Sequence, residues 1–130
     1  MNKYTIYPHF LIIGAQRSGT SWTHKALDIH PEVWVPPIKE LHHFDCIDPS
    51  HYHFQENRRY SKHLKFALSK MVQSPFNLEN LWFIRYFLNT RNEAWYISLF
   101  RKKSNLGYVT GEVTPAYANL SKKIWEQISR

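Results

Sequence analysis

The residues best suited to chemistry come early, in Gly14-Ala-Gln-Arg-Ser-Gly-Thr-Ser21, between a short apolar run and a segment of helical spacing. Two glycines let the backbone curl tightly and approach a ligand with no Cβ in the way. Amides from Ser18 to Ser21 then converge at the positive end of a helix dipole, which makes an anion cradle for phosphate or a related group. Arg17 adds a fixed charge, and the hydroxyls of Ser18, Thr20 and Ser21 add donors. The spacing is that of a nucleotide triphosphatase P-loop, but the residue types differ. Thr20 stands where that loop has its lysine, and the cation comes earlier, at Arg17.

A second cluster is polar and histidine-rich: His42, His43, Cys46, His51 and His53, with Asp45 and Asp48. These are zinc-ligand types, yet their spacing fits no standard CxxC or HxxxH arrangement, and polar loop histidines are the better expectation. No metal is expected. Cys46 stands outside any cysteine-enzyme context and reads as a small packing or loop residue.

The segment FLIIGAQRSGTSWTHKALDIHPEV resembles the 5′-phosphosulfate-binding motif of sulfotransferases that use 3′-phosphoadenosine 5′-phosphosulfate, with Arg17 to Trp22 and His30-Pro31 in order and spacing. Lys39-Glu-Leu-His-His-Phe-Asp45 and Gly111-Glu-Val-Thr-Pro-Ala-Tyr117 resemble blocks of the bacterial members and of the heparan-sulfate O-sulfotransferases. Trp95-Tyr-Ile-Ser-Leu-Phe100 is similar to a segment before the third block, so the likeness runs from Phe10 to Tyr117.

The resemblance implies that Arg17, Ser18, Gly19, Thr20, Ser21 and Trp22 hold the donor's 5′-phosphosulfate, with Arg17 beside the bridging oxygen. It implies Glu40 as the general base, a role that suits a carboxylate whose surroundings lift its pKa towards neutrality. It implies catalytic or organising roles for His42 and Asp45 and a hydroxyl- or amine-bearing acceptor, a glycan or a small metabolite. Two departures stand out. Val113 replaces a lysine common in the heparan-sulfate enzymes, and the chain of 130 residues is shorter than the family's domains. The segment gripping the donor's 3′-phosphate is expected beyond the last helix, so the chain is expected to be a single partial domain, 1–130. Two other readings fit the same loop: an inactive fragment that binds nucleotide or a partner chain, and a P-loop small-molecule kinase, which would need magnesium.

The elements that must position these residues follow from periodicity. Residues 9–13 form an apolar, branched and aromatic run bounded by Pro8 and Gly14, a pattern that predicts a buried parallel strand. Trp22, Ala26 and Ile29 fall at helical spacing up to Pro31, and Val33 to Val35 predicts a second strand. Leu41 to Gln55 reads as loop. Tyr60, Leu64, Leu68 and Met71 predict an amphipathic helix carrying Lys62 and Lys65 on its surface. Leu78 to Leu88 and the region of Trp95 to Phe100 predict two more helices, the latter with a basic end. Tyr108 to Val113 predicts a strand, residues 114–117 a turn, and Leu120, Ile124 and Ile128 a last helix. The expected class is α/β, a P-loop-like three-layer fold with a parallel sheet flanked by helices and cut short. An exposed sheet edge would leave a route to oligomers.

Composition bounds the rest. With 43% hydrophobic and 16% aromatic residues the chain can build a core, and one cysteine excludes an internal disulfide. The formal net charge is +7, and the stretch from Arg58 to Lys103 holds ten basic residues against Glu79 and Glu93. Such a bias suits an anionic partner, and on the sulfotransferase resemblance these residues would attract an anionic acceptor; the nucleotide donor is the other anionic partner, and no nucleic-acid or membrane partner is expected. No apolar run approaches the roughly 20 residues of a spanning helix, and the expected location is cytoplasmic.

Overall fold

The computed structural model describes residues 7–14, 19–47, 56–89 and 91–129, without the side chains of Cys46, Ile47 and residues 56–60. The chain divides into two compact units, Met1–Tyr52 with Phe100–Arg130, and His53–Leu99.

The first unit is mixed α/β, built on three parallel strands flanked by helices. β1 (Phe10–Ile12) and β2 (Val33–Trp34) both pair with β3 (Val109–Val113), in the order β1-β3-β2. Phe10 pairs with Gly111 and Ile12 with Val113, while Trp34 pairs with Thr110. β3 lies between two partners and is buried from Thr110 to Val113. β1, expected to be buried, is only half-buried, because it lies at an edge of the sheet.

Gly111 is required by a close approach: a Cβ there would overlap the ring of Phe10 on the neighbouring strand. Gly111→Ala should therefore destabilise the chain by about 1–3 kcal/mol, the usual range for overpacking. Phe10→Leu in the same chain should recover part of that loss in a denaturant double-mutant cycle. Strictly additive losses would show that the ring is not the obstacle.

α1 (Thr20–Asp28) follows β1, as the strand–loop–helix pattern predicts. Its predicted apolar stripe is not buried, since Trp22 is 74% exposed and Ile29 84%. The inner side is instead tied by polar contact: His24 Nε2 donates to the carbonyl of Pro36 at 2.9 Å. Leu41 to Gln55, expected as loop, contains a short helix, α2 (His43–Ile47). It is anchored from outside, for the amide of His43 donates to the Tyr117 hydroxyl at 2.9 Å. Residues 48–55, with His51 and His53, lie outside the described residues. After β3 come a 3-10 turn (Pro115–Asn119) and a last helix (Lys122–Ile128). Val35, Ile38, Leu41, Phe44, Phe100, Val113, Tyr117, Leu120 and Ile124 form the buried apolar set of this unit.

The second unit is helical. α3 (Glu56–Gln73) is longer than its apolar spacing predicted, and Ala67 rather than Leu68 is buried on it. α4 (Asn80–Leu88) precedes α5 (Glu93–Asn105), whose residues up to Leu99 belong here. Asn92 caps α5, its side-chain oxygen accepting from the amide of Trp95 at 2.8 Å. Trp82 stacks on Tyr86 with ring centroids 5.3 Å apart, and Trp95 Nε1 donates to the Tyr86 carbonyl at 3.1 Å. Arg91 covers both Tyr86 and Trp95, with its guanidinium carbon 5.0 and 5.2 Å from the ring centroids. Among the described residues no helix is long and apolar enough to cross a membrane.

Candidate functional site

In a parallel sheet every strand delivers its following loop to the same edge, and ligands gather in the crevice outside those carboxyl ends. Here the segments that follow β2 and β3 meet beside the end of β1. The amide of Thr114 donates to Ile12 O at 3.0 Å, and the amide of Glu40 donates to Val113 O at 3.0 Å. Backbone hydrogen bonds thus fix the segment after β2 against the end of β3, directly beside the exit of β1.

Gly19 opens α1 at φ 84°, a left-handed conformation that glycine adopts without a Cβ penalty. Among the described residues no side chain caps this helix. Its first two residues, Thr20 and Ser21, turn their hydroxyls to Lys39, whose Nζ donates to Thr20 Oγ1 at 3.3 Å and Ser21 Oγ at 3.0 Å. The same ammonium lies 3.1 Å from Glu40 Oε1. Thr20, Ser21 and Glu40 are therefore brought together, and Gly19 adjoins them. Trp22 projects from the same first turn of α1 into solvent. Arg17 and Ser18 lie outside the described residues.

Lys39 carries no assignment from sequence although it opens the second block. The only signal for it there is its place next to Glu40, because nothing in the spacing brings residue 39 to residues 20 and 21.

From Glu40 the chain of contacts runs inward. His42 Nε2 is 3.4 Å from Glu40 Oε2, and His42 Nδ1 donates to Asp45 Oδ2 at 2.6 Å. Asp45 is buried, and among the described residues its Oδ1 has no hydrogen-bond partner. Carboxylates on both sides of the ring fix its plane and leave each nitrogen facing an acceptor. Glu40 and His42 both have left-handed backbones, at φ 63° and 56°. For residues with a Cβ such a conformation costs on the order of 1 kcal/mol each, and it persists where the surroundings over-determine it.

The electrostatics of Glu40 run opposite to the sequence-based expectation. Its hydrogen bond with His42, and then the bond and charge of Lys39, hold the carboxyl at about 2, although partial burial pulls the other way. Glu40 is thus an ionised carboxylate clasped between two cationic or donor groups, not one lifted towards neutrality.

Glu112 is a second acid that sequence left without a role. It sits on β3 and is 1% exposed. Thr114 Oγ1 donates to its Oε2 at 2.9 Å, and the Tyr117 hydroxyl donates to its Oε1 at 2.9 Å. Burial, then the neighbouring Glu112, push the Tyr117 hydroxyl well above its ordinary pKa, so it stays a donor. That hydroxyl also receives the His43 amide, so one phenol links β3 to the start of α2. The third block therefore builds the floor under Glu40 and His42.

Among the described residues no three His, Cys, Asp or Glu side chains are grouped to hold a metal ion. No protein-family model, curated protein or solved structure matches the chain.

Proposed function

We propose that the chain carries the donor-binding and proton-accepting parts of a sulfotransferase with a P-loop-like fold, acting on a hydroxyl or amine. The observation that carries this reading is the meeting of Lys39, the Thr20 and Ser21 hydroxyls and Glu40 at the first turn of α1. A cation and two hydroxyls at a helix N-terminus suit an anionic group, and a carboxylate beside them suits a proton acceptor. The sequence resemblance supplies the chemical class.

The donor supplies a sulfuryl group attached to a phosphate leaving group. On this reading the loop amides with Arg17, Ser18, Thr20 and Ser21 bind the phosphosulfate, and Trp22 lies at its margin. Glu40 takes the proton of the acceptor O–H or N–H while the acceptor atom bonds to sulfur. The electron pair of the breaking sulfur–oxygen bond leaves with the phosphate, whose charge Arg17 neutralises. His42, held by Asp45, orients Glu40. No step calls for a metal.

Calorimetric titration with adenosine 3′,5′-bisphosphate, the product of such a transfer, tests the reading. Wild type should bind, and Arg17→Ala should bind at least about tenfold more weakly, the worth of one charge-assisted hydrogen bond. Equal affinities would remove Arg17 from the site. Binding that requires magnesium would favour a kinase instead.

A further inference from the structure

Lys39 touches two things that the proposed reaction keeps apart: the hydroxyls that would receive the donor and the carboxylate that would receive the proton. Its Nζ lies 3.3 and 3.0 Å from Thr20 Oγ1 and Ser21 Oγ, and 3.1 Å from Glu40 Oε1. We propose that Lys39 is a coupling residue, which clasps Glu40 while the anion site is empty and turns onto the anion when the site fills. This rests on the donor-binding reading above and adds an order of events to it.

The physical basis is competition for one ammonium. A lysine ammonium is a compact charge on a flexible four-carbon stem, with three donors that can be redistributed. Thr20 and Ser21 keep two of them at the mouth of α1. The third faces Glu40, whose side chain is 39% exposed and so screened by water. A doubly charged group at the helix N-terminus outbids one solvated carboxylate for that ammonium, because charge and helix dipole act together there.

Once Lys39 turns away, Glu40 keeps its contact with His42 Nε2, its amide's bond to Val113 O, and exposure to solvent. Asp45 on α2 holds the far side of that imidazole. Freed of its ammonium partner, the carboxylate becomes a stronger proton acceptor. The base is thereby strengthened only after the donor is loaded.

The test uses the full chain with selectively carbon-13-labelled glutamate carboxyls, assigned to Glu40 by loss of one signal in Glu40→Gln. Wild type and Lys39→Met are titrated with acid, each with and without saturating adenosine 3′,5′-bisphosphate. In wild type the Glu40 midpoint should rise on loading. In Lys39→Met it should start higher and move less, and affinity should fall about tenfold or more, with Lys39→Arg recovering most of it. Equal upward shifts in wild type and Lys39→Met, as the anion's own charge would produce, overturn the coupling while leaving the donor site intact. So does unchanged affinity in Lys39→Met. Absence of binding to wild type overturns the donor-binding reading and the coupling together.

Discussion

Tyr117→Phe should lower the unfolding free energy by about 2–4 kcal/mol, the cost of withdrawing one buried hydroxyl from two polar partners. The ring is fully buried, and phenylalanine keeps its volume, so no cavity term enters. What disappears is the 2.9 Å bond to Glu112 Oε1 and the 2.9 Å bond from the His43 amide. Glu112, at 1% exposure, cannot turn to water for a replacement. A fall in Tm on the order of 10 °C should accompany the loss in a chain of this length. A loss below about 0.5 kcal/mol in urea unfolding would mean that the hydroxyl does not hold β3 to α2. Because that hydroxyl anchors the residue next to His42, the variant should also loosen the site before the sheet melts.

If the chain works as the sulfotransferase proposed above, Glu40→Gln should reduce sulfuryl transfer by about 10²–10⁴-fold, the ordinary worth of a positioned proton acceptor. Glutamine preserves shape but accepts no proton, and only its oxygen can still accept from Lys39 or His42; since neither oxygen of Glu40 is needed to hold the anion, affinity for adenosine 3′,5′-bisphosphate should survive. A loss of rate smaller than about fivefold would remove Glu40 from the chemical step. The same variant has a signature that requires no substrate. The hydrogen bond from His42 first, and Lys39 after it, hold the folded carboxyl down at about 2, against 4.5 for an unperturbed glutamate. Below pH 4.5 the unfolded chain therefore takes up more protons than the folded one, and stability falls as pH drops towards 2. Solvent reaches a side chain that is 39% exposed, so the loss will be modest. Glu40→Gln should flatten it, and an unaltered acid limb in chemical denaturation would contradict the clasp around Glu40.

What was legible in the sequence was local. A branched apolar run and then helical spacing predict β1 and α1, because the period of the apolar positions is a local property of the chain. The apolar character of Leu78 to Leu88 predicts a helix, observed as α4 from Asn80, and Tyr108 to Val113 predicts β3. The short α2 was not legible, since five residues carry no period, and its start is held by a hydroxyl 74 residues away in sequence. Nor does periodicity say which side of a helix is covered, which is why Trp22 and Ile29 emerge into solvent.

The candidate site divides along the same line. The residue types of the glycine loop pointed to Thr20 and Ser21 beside Arg17 and Ser18, and the family resemblance added Glu40 and His42. Only the tertiary structure joined them through Lys39, pressed Glu40 down to about 2 instead of lifting it, and laid Glu112 and Tyr117 beneath. The reason is that charge interactions depend on separations of a few ångströms between residues far apart in the chain. Those separations are set by which strands pair and where their loops end, and a linear order of residue types does not contain them.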